Sequence, residues 1–205
     1  MKSMLQTALR ENQLVLSDQA VDQLIHYLQM IPTWNRVFNL TSITEPREMV
    51  YLHIIDSLLT APFVSGSRCL DVGSGAGLPG IPLAVINPEQ QWLLLDKNNK
   101  KTRFMTQAIA ELGLKNARAI HTRAEDFIPD DCFDSILSRA YATLALFIKT
   151  TRHLICKNGT FIALKGKYPQ DEITELAGLA GEVRVTPVTM HGMTLDRHIV
   201  CMKPE

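Results

Sequence analysis

The sequence predicts an α/β protein with a mostly parallel sheet, preceded by a small helical region. Two observations favour this fold. From residue 67 onward, short apolar runs alternate with stretches of helical periodicity, as in repeated strand-helix units. Before that point the apolar residues recur only at helical spacing, as in SDQAVDQLIHYLQMI. We therefore expect an N-terminal helical cap over residues 1–65 and a strand-helix domain over residues 66–205, both within one compact unit.

Two helices are predicted in the cap. The first begins after Ser17, a natural N-cap, and Pro32 stands near its end. The second lies in PREMVYLHIIDSLLTAPF, opened by Thr44 with Pro46 in its first turn.

The rest of the chain predicts seven strands joined by helices. The strands lie in RCLDVG, QWLLLD, ARAIHT, FDSILS, GTFIALK, EVRVTPVTM and RHIVCMK. Helices are expected in LPGIPLAVIN, KNNKKTRFMTQAIAELG, YATLALFIKTTRHLI and YPQDEITELAGLA. Five strands alternate with helices, and two successive strands close the sheet.

The composition is typical of a globular protein. The 205 residues are 46% hydrophobic, and 21 basic residues balance 21 acidic ones, which argues weakly against a general nucleic-acid binder. Two stretches nevertheless carry basic residues without acids, over 97–103 and 139–167. They predict either a basic face or ordinary solvated charges. With no signal peptide and no apolar span in the sequence, we expect a cytoplasmic protein.

The four cysteines predict neither a metal site nor a disulfide. They are far apart, show no C-x-x-C spacing and lie in apolar contexts, so we expect reduced core thiols at Cys69, Cys132, Cys156 and Cys201. The histidines show no ligand spacing either, and we predict no bound metal.

The stretch CLDVGSGAGLPGIPLAV, residues 69–85, predicts a nucleotide-like ligand. From Gly75 it matches G-x-G-x-x-G, and Asp96 ends the next strand, as a dinucleotide site requires. Asp71, however, would place a carboxylate close to a pyrophosphate, and like charges repel. S-adenosylmethionine has no phosphate and carries a cationic amino group and a sulfonium. We therefore predict this cofactor, bound by Asp71 and by the loop glycines Gly73, Gly75 and Gly77.

Two further segments extend the predicted cofactor site. Asp96 can accept hydrogen bonds from both ribose hydroxyls, or cap the following helix, or do both. In HTRAEDF, Ala124 and Glu125 are expected to border the adenine; the alternative is that Glu125 and Asp126 are solvated loop acids.

With these residues the chain resembles the class I, or Rossmann-like, methyltransferases, which have a seven-stranded, mostly parallel sheet with helices on both faces. More closely, it resembles the bacterial ribosomal RNA small-subunit methyltransferase G family, also called glucose-inhibited division protein B. The resemblance rests on motifs between Trp34 and Lys165: WNRVFNLTSI, EMVYLHIIDSL, LDVGSGAGLPGIPLA, KKTRFM, RAEDF, SRA and LKG. After the acid of the second strand, where members often have a serine, this chain has Lys97.

The resemblance implies an enzyme that methylates N7 of the guanine at position 527, in the 530 loop of 16S rRNA, and releases S-adenosyl-L-homocysteine. The expected substrate is 16S rRNA within the 30S subunit or an assembly intermediate, and the expected enzyme is a monomer. By the same resemblance the cofactor contacts fall on Gly73, Leu78, Ala124, Glu125 and Arg139.

Guanine N7 has a free lone pair, so the reaction requires placement of the base and no general base. We expect Arg139, Lys165 and Arg197 to orient the substrate. Further substrate-binding candidates are Asn35, Arg36, Asn39, His53 and Arg123. The alternatives are structural: His53 and Asp56 could bond each other at i and i+3. Trp34 and Phe38 are more often core residues than a base-stacking platform.

Other functions remain open at this point. A small-molecule methyltransferase of the same fold would have an enclosed apolar lid, whereas this cap offers polar side chains. A nucleotide-binding regulator would have a degenerate loop, whereas Asp71 and Asp96 are both present. A dinucleotide oxidoreductase would be indicated by binding of NADH.

Overall fold

The computed structural model describes residues 1–205 and is built on one seven-stranded sheet. The strand order is β3-β2-β1-β4-β5-β7-β6. Strands β1 to β5 are parallel, whereas β7 runs antiparallel to both β5 and β6. The strands are β1 (Arg68–Val72), β2 (Gln91–Asp96), β3 (Ala117–His121), β4 (Phe133–Arg139), β5 (Ile155–Lys165), β6 (Ala180–Pro187) and β7 (His198–Pro204). The predicted seven-stranded, mostly parallel sheet is therefore confirmed.

Eight α-helices and one π-helical segment cover the sheet and form its N-terminal cap. The cap contains α1 (Lys2–Glu11), α2 (Asp18–Phe38), α3 (Pro46–Met49), the π-helical segment (Val50–Ile55) and α4 (Asp56–Leu58). Between and after the strands lie α5 (Gly80–Ile86), α6 (Asn99–Glu111), α7 (Leu144–Thr151) and α8 (Gln170–Thr174). The sequence did not predict α1.

The limits of the cap helices differ in part from those predicted. Ser17 is the N-cap of α2, as expected, and its side chain accepts a hydrogen bond from the backbone N–H of Ala20. Pro32 does not end α2, which continues to Phe38 and stops at Asn39 in the left-handed conformation (φ 49°). The N-cap before Pro46 is Glu45 rather than Thr44, because the Glu45 carboxylate accepts a hydrogen bond from the N–H of Glu48.

Two hydrophobic clusters lie on opposite faces of the sheet. The larger joins 37 buried residues of the cap, α5, α6 and one sheet face, so the cap shares a core with the strand-helix region. Trp34 and Phe38 pack against it, and Trp34 lies edge-on to Phe104 at 5.7 Å between ring centroids. The core role favoured for these two aromatics agrees with this packing. The smaller cluster of 16 residues lies under α7 and α8.

The prediction of four reduced thiols is wrong for two cysteines. Cys132 and Cys156 form a disulfide, whereas Cys69 and Cys201 are free. Phe133 of β4 stands opposite Ile155 of β5, and the register then shifts before Ser135 pairs with Thr160, so Cys156 lies at an irregularity of β5 beside the start of β4. The 24-residue separation in sequence conceals this contact.

No helix in this chain has both the length and the apolar character that crossing a membrane would require.

Candidate cofactor and substrate site

A cleft of about 260 Å³ lies at the carboxyl ends of β1 to β4. In an open α/β sheet this edge is where ligands bind, because the strand order reverses there. Four of the predicted cofactor residues and one substrate candidate line it: Gly73, Asp96, Ala124, Glu125 and Arg123. The other lining residues are Val72, Leu95, Lys97, Lys101, Thr122, Ala140 and Tyr141.

Gly73 occupies a position that only glycine fits. Its φ is +68°, and a Cβ atom there would lie 2.5 Å from Cδ2 of Tyr141. The Gly73 N–H donates to the carbonyl of Leu95 on the neighbouring strand, at 2.8 Å. The ring of Tyr141 thus closes over the loop where the cleft begins. Sequence reasoning missed Tyr141, because an aromatic residue after a strand carries no signal of its own.

Asp96 holds the loop in place with its carboxylate. Its Oδ2 atom accepts a hydrogen bond from the N–H of Gly75 at 2.9 Å, and its Oδ1 atom accepts one from the N–H of Asn98 at 2.8 Å. The N-cap of α6 is Asn98, so Asp96 does not cap this helix. Its carboxylate instead links the glycine loop to the start of α6. A carboxylate offers about four lone-pair sites, so two contacts leave capacity for two hydroxyl donors.

Asp71 lies beneath the loop and outside the lining of the cleft. Its side chain is fully buried, Oδ2 accepts a hydrogen bond from the N–H of Gly80 at 2.9 Å, and Oδ1 has no partner. Burial raises the pKa of Asp71 to about 7. A Cβ on Gly80 would lie 2.8 Å from Oδ2, so this close contact requires glycine. Asp71 therefore fixes the end of the glycine loop at Gly80 and does not face the cleft.

The other three predicted loop residues, Gly75, Gly77 and Leu78, differ in their exposure to solvent. Gly75 is partly exposed and donates to Asp96, whereas Gly77 and Leu78 are buried and their N–H groups bond the carbonyl of Ser74.

A buried tyrosine of the cap also contacts the glycine loop. The hydroxyl of Tyr27 donates to the carbonyl of Ala76 at 2.6 Å. Burial raises the pKa of Tyr27, so the hydroxyl keeps its proton. Sequence reasoning missed this residue, because Tyr27 falls among the apolar residues of α2.

Arg139 and Arg197 meet at one carboxylate of the cap. Nη1 of Arg139 donates to Oδ2 of Asp56 at 3.3 Å and to the carbonyl of Leu52 at 2.7 Å. Nε of Arg197 donates to Oδ1 of Asp56 at 2.7 Å. The structure thus brings together two of the three residues expected to orient the substrate.

Lys165, the third of them, lies apart from this pair. Its ammonium bonds both carboxylate oxygens of Glu172 at 2.9 and 2.7 Å, on the sheet face covered by α7 and α8. The same carboxylate accepts a hydrogen bond from the N–H of Leu144 at the start of α7. Lys165 therefore ties β5 to the two helices, an interaction that the motif LKG alone does not reveal.

The polar cap residues have different environments. Asn35 exchanges two hydrogen bonds of 2.9 Å with the backbone of Thr41, and Asn39 ends α2, so both shape the turn after this helix. Arg36 is exposed.

His53 is buried in the π-helical segment, and neither ring nitrogen has a hydrogen-bond partner. It does not bond Asp56, contrary to one alternative, because that carboxylate faces the two arginines. Burial, with the charge of Arg139, lowers the pKa of His53 to about 4, which makes the ring neutral at pH 7.

Solved structures of other proteins share this architecture. A glycopeptide N-methyltransferase, MtfA, complexed with S-adenosyl-L-homocysteine has a TM-score of 0.64 at 11% identity, over 75% of this chain and 87% of that one. A SAM-dependent methyltransferase from Aquifex aeolicus has a TM-score of 0.58 at 17% identity, over 83% and 97%. At these identities the likeness concerns the fold alone.

Sequence relatives are much closer and span nearly the whole chain. A protein of Laribacter hongkongensis named ribosomal RNA small subunit methyltransferase G is 44% identical, over 98% of this chain and 97% of that protein. One of the same name from Haemophilus influenzae (strain PittEE) is 41% identical, over 99% and 100%. The family model for rRNA small subunit methyltransferase G matches residues 20–200. The resemblance carried by the sequence motifs is confirmed, and the chain belongs to the rRNA small subunit methyltransferase G family.

Proposed function

We propose that this chain transfers the methyl group of S-adenosylmethionine to N7 of a guanine in 16S rRNA, the guanine at position 527 in the 530 loop. The observation that carries the proposal is the family match over residues 20–200, which includes the cap as well as the sheet. A shared fold alone would leave the substrate open, because one fold hosts many functions.

The residues of the cleft fit this cofactor. Asp96, Ala124 and Glu125 line the cleft. We propose that Asp96 accepts hydrogen bonds from the ribose hydroxyls and that Ala124 and Glu125 border the adenine. When bound, S-adenosylmethionine supplies an electrophilic methyl group on a positively charged sulfur. The cleft carries carboxylates at Asp96 and Glu125, which can accept hydrogen bonds from the ribose hydroxyls and the amino group of this cofactor. The family match over residues 20–200 argues against a dinucleotide oxidoreductase.

The chain's contribution to the reaction is placement of the base. N7 needs no proton removed, so the proposal assigns no residue as general base. Arg197 provides N–H donors on the cap side of the strand ends, suited to the O6 atom beside N7. For Arg139, which directly precedes the cleft residue Ala140, we propose a contact with the cofactor. The neutral ring of His53 adds no charge to this region.

Cations without an acidic partner surround the cleft and are suited to RNA phosphates. Lys97, Lys101 and Arg123 line it, Lys100 follows in α6, and none of them forms a salt bridge. Arg103 lies 5.9 Å from the ring of Phe38 and continues the basic surface towards α2. Of the two basic stretches, the one over 97–103 thus lies beside the site. In the other, Arg139 and Lys165 are paired internally.

The enclosed apolar lid of a small-molecule methyltransferase is a poor match for this edge, which is rich in charged side chains. We further propose that the enzyme acts as a monomer in the cytoplasm, on the 30S subunit or an assembly intermediate. Guanine N7 is hidden in the deep major groove of an RNA helix, so the base must be in a single-stranded or splayed loop.

Methyl transfer to purified rRNA substrates tests the proposal. The protein is incubated with methyl-labelled S-adenosylmethionine and with 30S subunits, or naked 16S rRNA, from cells that lack the modification. We expect label in one or both substrates, and the ratio between them identifies the assembly state that is recognised. Cofactor binding by calorimetry without transfer to either substrate would contradict the rRNA proposal and would favour a small-molecule acceptor.

A further inference from the structure

Three charged side chains from distant parts of the chain converge between the cap and the sheet. Asp56 begins α4, Arg139 ends β4, and Arg197 precedes β7. The Asp56 side chain is 9% exposed, and those of the two arginines are 21% and 22% exposed. Each carboxylate oxygen of Asp56 accepts a hydrogen bond from a different arginine. One cap residue therefore fixes the direction of two arginines that lie at strand ends, Arg139 at the end of β4 and Arg197 just before β7.

The charges in this cluster do not balance. One carboxylate faces two guanidinium groups, which leaves one positive charge in a mostly buried place. Arg139 also bonds the carbonyl of Leu52, and Arg197 bonds that of Asp196, so each uses only part of its donors. Five N–H donors in each guanidinium leave several free for a ligand. Asp56 thus restrains both arginines without occupying all of their donors.

The position of Asp56 links this restraint to the cap. It follows directly on the π-helical segment, and such segments are rare and often occur at functional sites. The neighbouring His53 is neutral and has no hydrogen-bond partner, so it does not compete for the guanidinium groups.

We infer that Asp56 is a positioning residue: it holds Arg139 in the direction needed to contact the cofactor and Arg197 in the direction needed to contact the target guanine. The inference rests on the proposed function for the roles of the two arginines. A guanidinium released from its carboxylate gains rotamers, and the ligand must then order it again at a cost in affinity.

A double-mutant cycle on cofactor affinity tests the inference without requiring an active enzyme. The dissociation constant for S-adenosylmethionine is measured by calorimetry for the parent, Asp56→Asn, Arg139→Gln and the double variant. If Asp56 acts through Arg139, we expect each single change to weaken binding about tenfold and the double variant to bind no more weakly than Arg139→Gln alone. Effects that multiply, or an Asp56→Asn variant that binds like the parent, would overturn the inference.

The design separates positioning from folding. Asp56→Asn alone adds one uncompensated positive charge to the cluster and can lower stability. The double variant loses one negative and one positive charge, so it keeps the net charge of the cluster. Asp196→Asn is the matched control, because this neighbouring acid is exposed and contacts Arg197 only through its backbone carbonyl. A second double-mutant cycle combines Asp56→Asn with Arg197→Gln and measures kcat/KM on 30S subunits. It tests whether Asp56 also acts through Arg197 on the target guanine. An inactive parent would contradict the proposed function, whereas multiplying effects in an active parent would contradict the positioning role.

Discussion

The hydroxyl of Tyr27 donates a 2.6 Å hydrogen bond to the carbonyl of Ala76, and this bond joins the helical cap directly to the glycine loop. Both residues are buried. The loop is held from three directions, because Asp96 bonds it at Gly75 and Asp71 bonds Gly80 just beyond it. The loop conformation therefore depends on the cap as well as on the sheet.

Replacing Tyr27 with Phe tests that dependence. The change leaves the buried carbonyl of Ala76 without its donor, which costs about 1–3 kcal/mol of unfolding free energy. We also expect weaker binding of S-adenosylmethionine, since the loop loses one anchor. Chemical denaturation and calorimetry measure the two effects. Tyr168→Phe is the control, because Tyr168 is an exposed tyrosine far from the loop in sequence. Equal stability of Tyr27→Phe and the parent would contradict the anchoring role.

Gly73→Ala should disturb the cleft more than a change at a comparable glycine. Gly73 and Gly113 have φ values of +68° and +65°, so alanine strains the backbone at both by about 1–2 kcal/mol. Only at Gly73 does the new Cβ meet a neighbour, the ring of Tyr141. We expect Gly73→Ala to weaken cofactor binding about tenfold or more, and Gly113→Ala to leave it unchanged. Similar affinities for the two variants would show that Tyr141 does not define this wall.

Asp71 should make stability depend on pH. Its pKa is about 7 in the folded protein and 3.8 as a free side chain, so between these values the folded state holds a proton that the unfolded state has lost. The free energy of unfolding contributed by Asp71 therefore falls as pH rises from about 4 to 7 and is constant above that range. At about 1.4 kcal/mol per pKa unit, the whole change is roughly 4 kcal/mol.

Asp71→Asn removes this titration. We expect the stability of the variant, relative to the parent, to increase between pH 4.5 and pH 8, whatever the offset caused by the substitution itself. Denaturant unfolding at both pH values provides the comparison. Parallel pH profiles for the two proteins would rule out a buried carboxyl with a raised pKa.

Lys165 should contribute to stability rather than to substrate orientation. Lys165→Met leaves the Glu172 carboxylate partly buried without its partner, and we expect a loss of about 1–3 kcal/mol. The kcat/KM for 30S subunits should stay within about twofold of the parent value, since no contact with the substrate or the transition state is removed. Lys167→Met, at an exposed position nearby, is the control. A stable Lys165→Met variant with a greatly reduced kcat/KM would instead place the ammonium at the substrate.

The sheet and most helices could be predicted from sequence because their signals are local. The apolar run of β1 and the alternation of strands and helices need no knowledge of distant contacts. Pro32 shows the limit of a local rule: the loss of one N–H at an exposed helix position does not end α2, since the helix is held by its buried face.

The site could be predicted only in part, because the partners of its charged residues are set by the three-dimensional fold and carry no motif of their own. Asp56 and Arg197 are 141 residues apart, and Lys165 pairs with Glu172 although its motif suggests a role at the site. The sequence predicts Asp71 at the ligand because it lies near the end of a strand beside glycines, yet its side chain accepts a hydrogen bond from the N–H of Gly80 below the loop. Side-chain direction at a strand end depends on the packing of both faces, which the sequence does not reveal.

The most direct test of the proposed function is the position of the methyl group on the RNA. Labelled 16S rRNA from the transfer reaction on 30S subunits is digested, and the modified nucleotide is mapped by mass spectrometry. The proposed function predicts 7-methylguanine at a single position, 527 in the 530 loop. Label on another atom or nucleotide, or spread over many guanines, would contradict it.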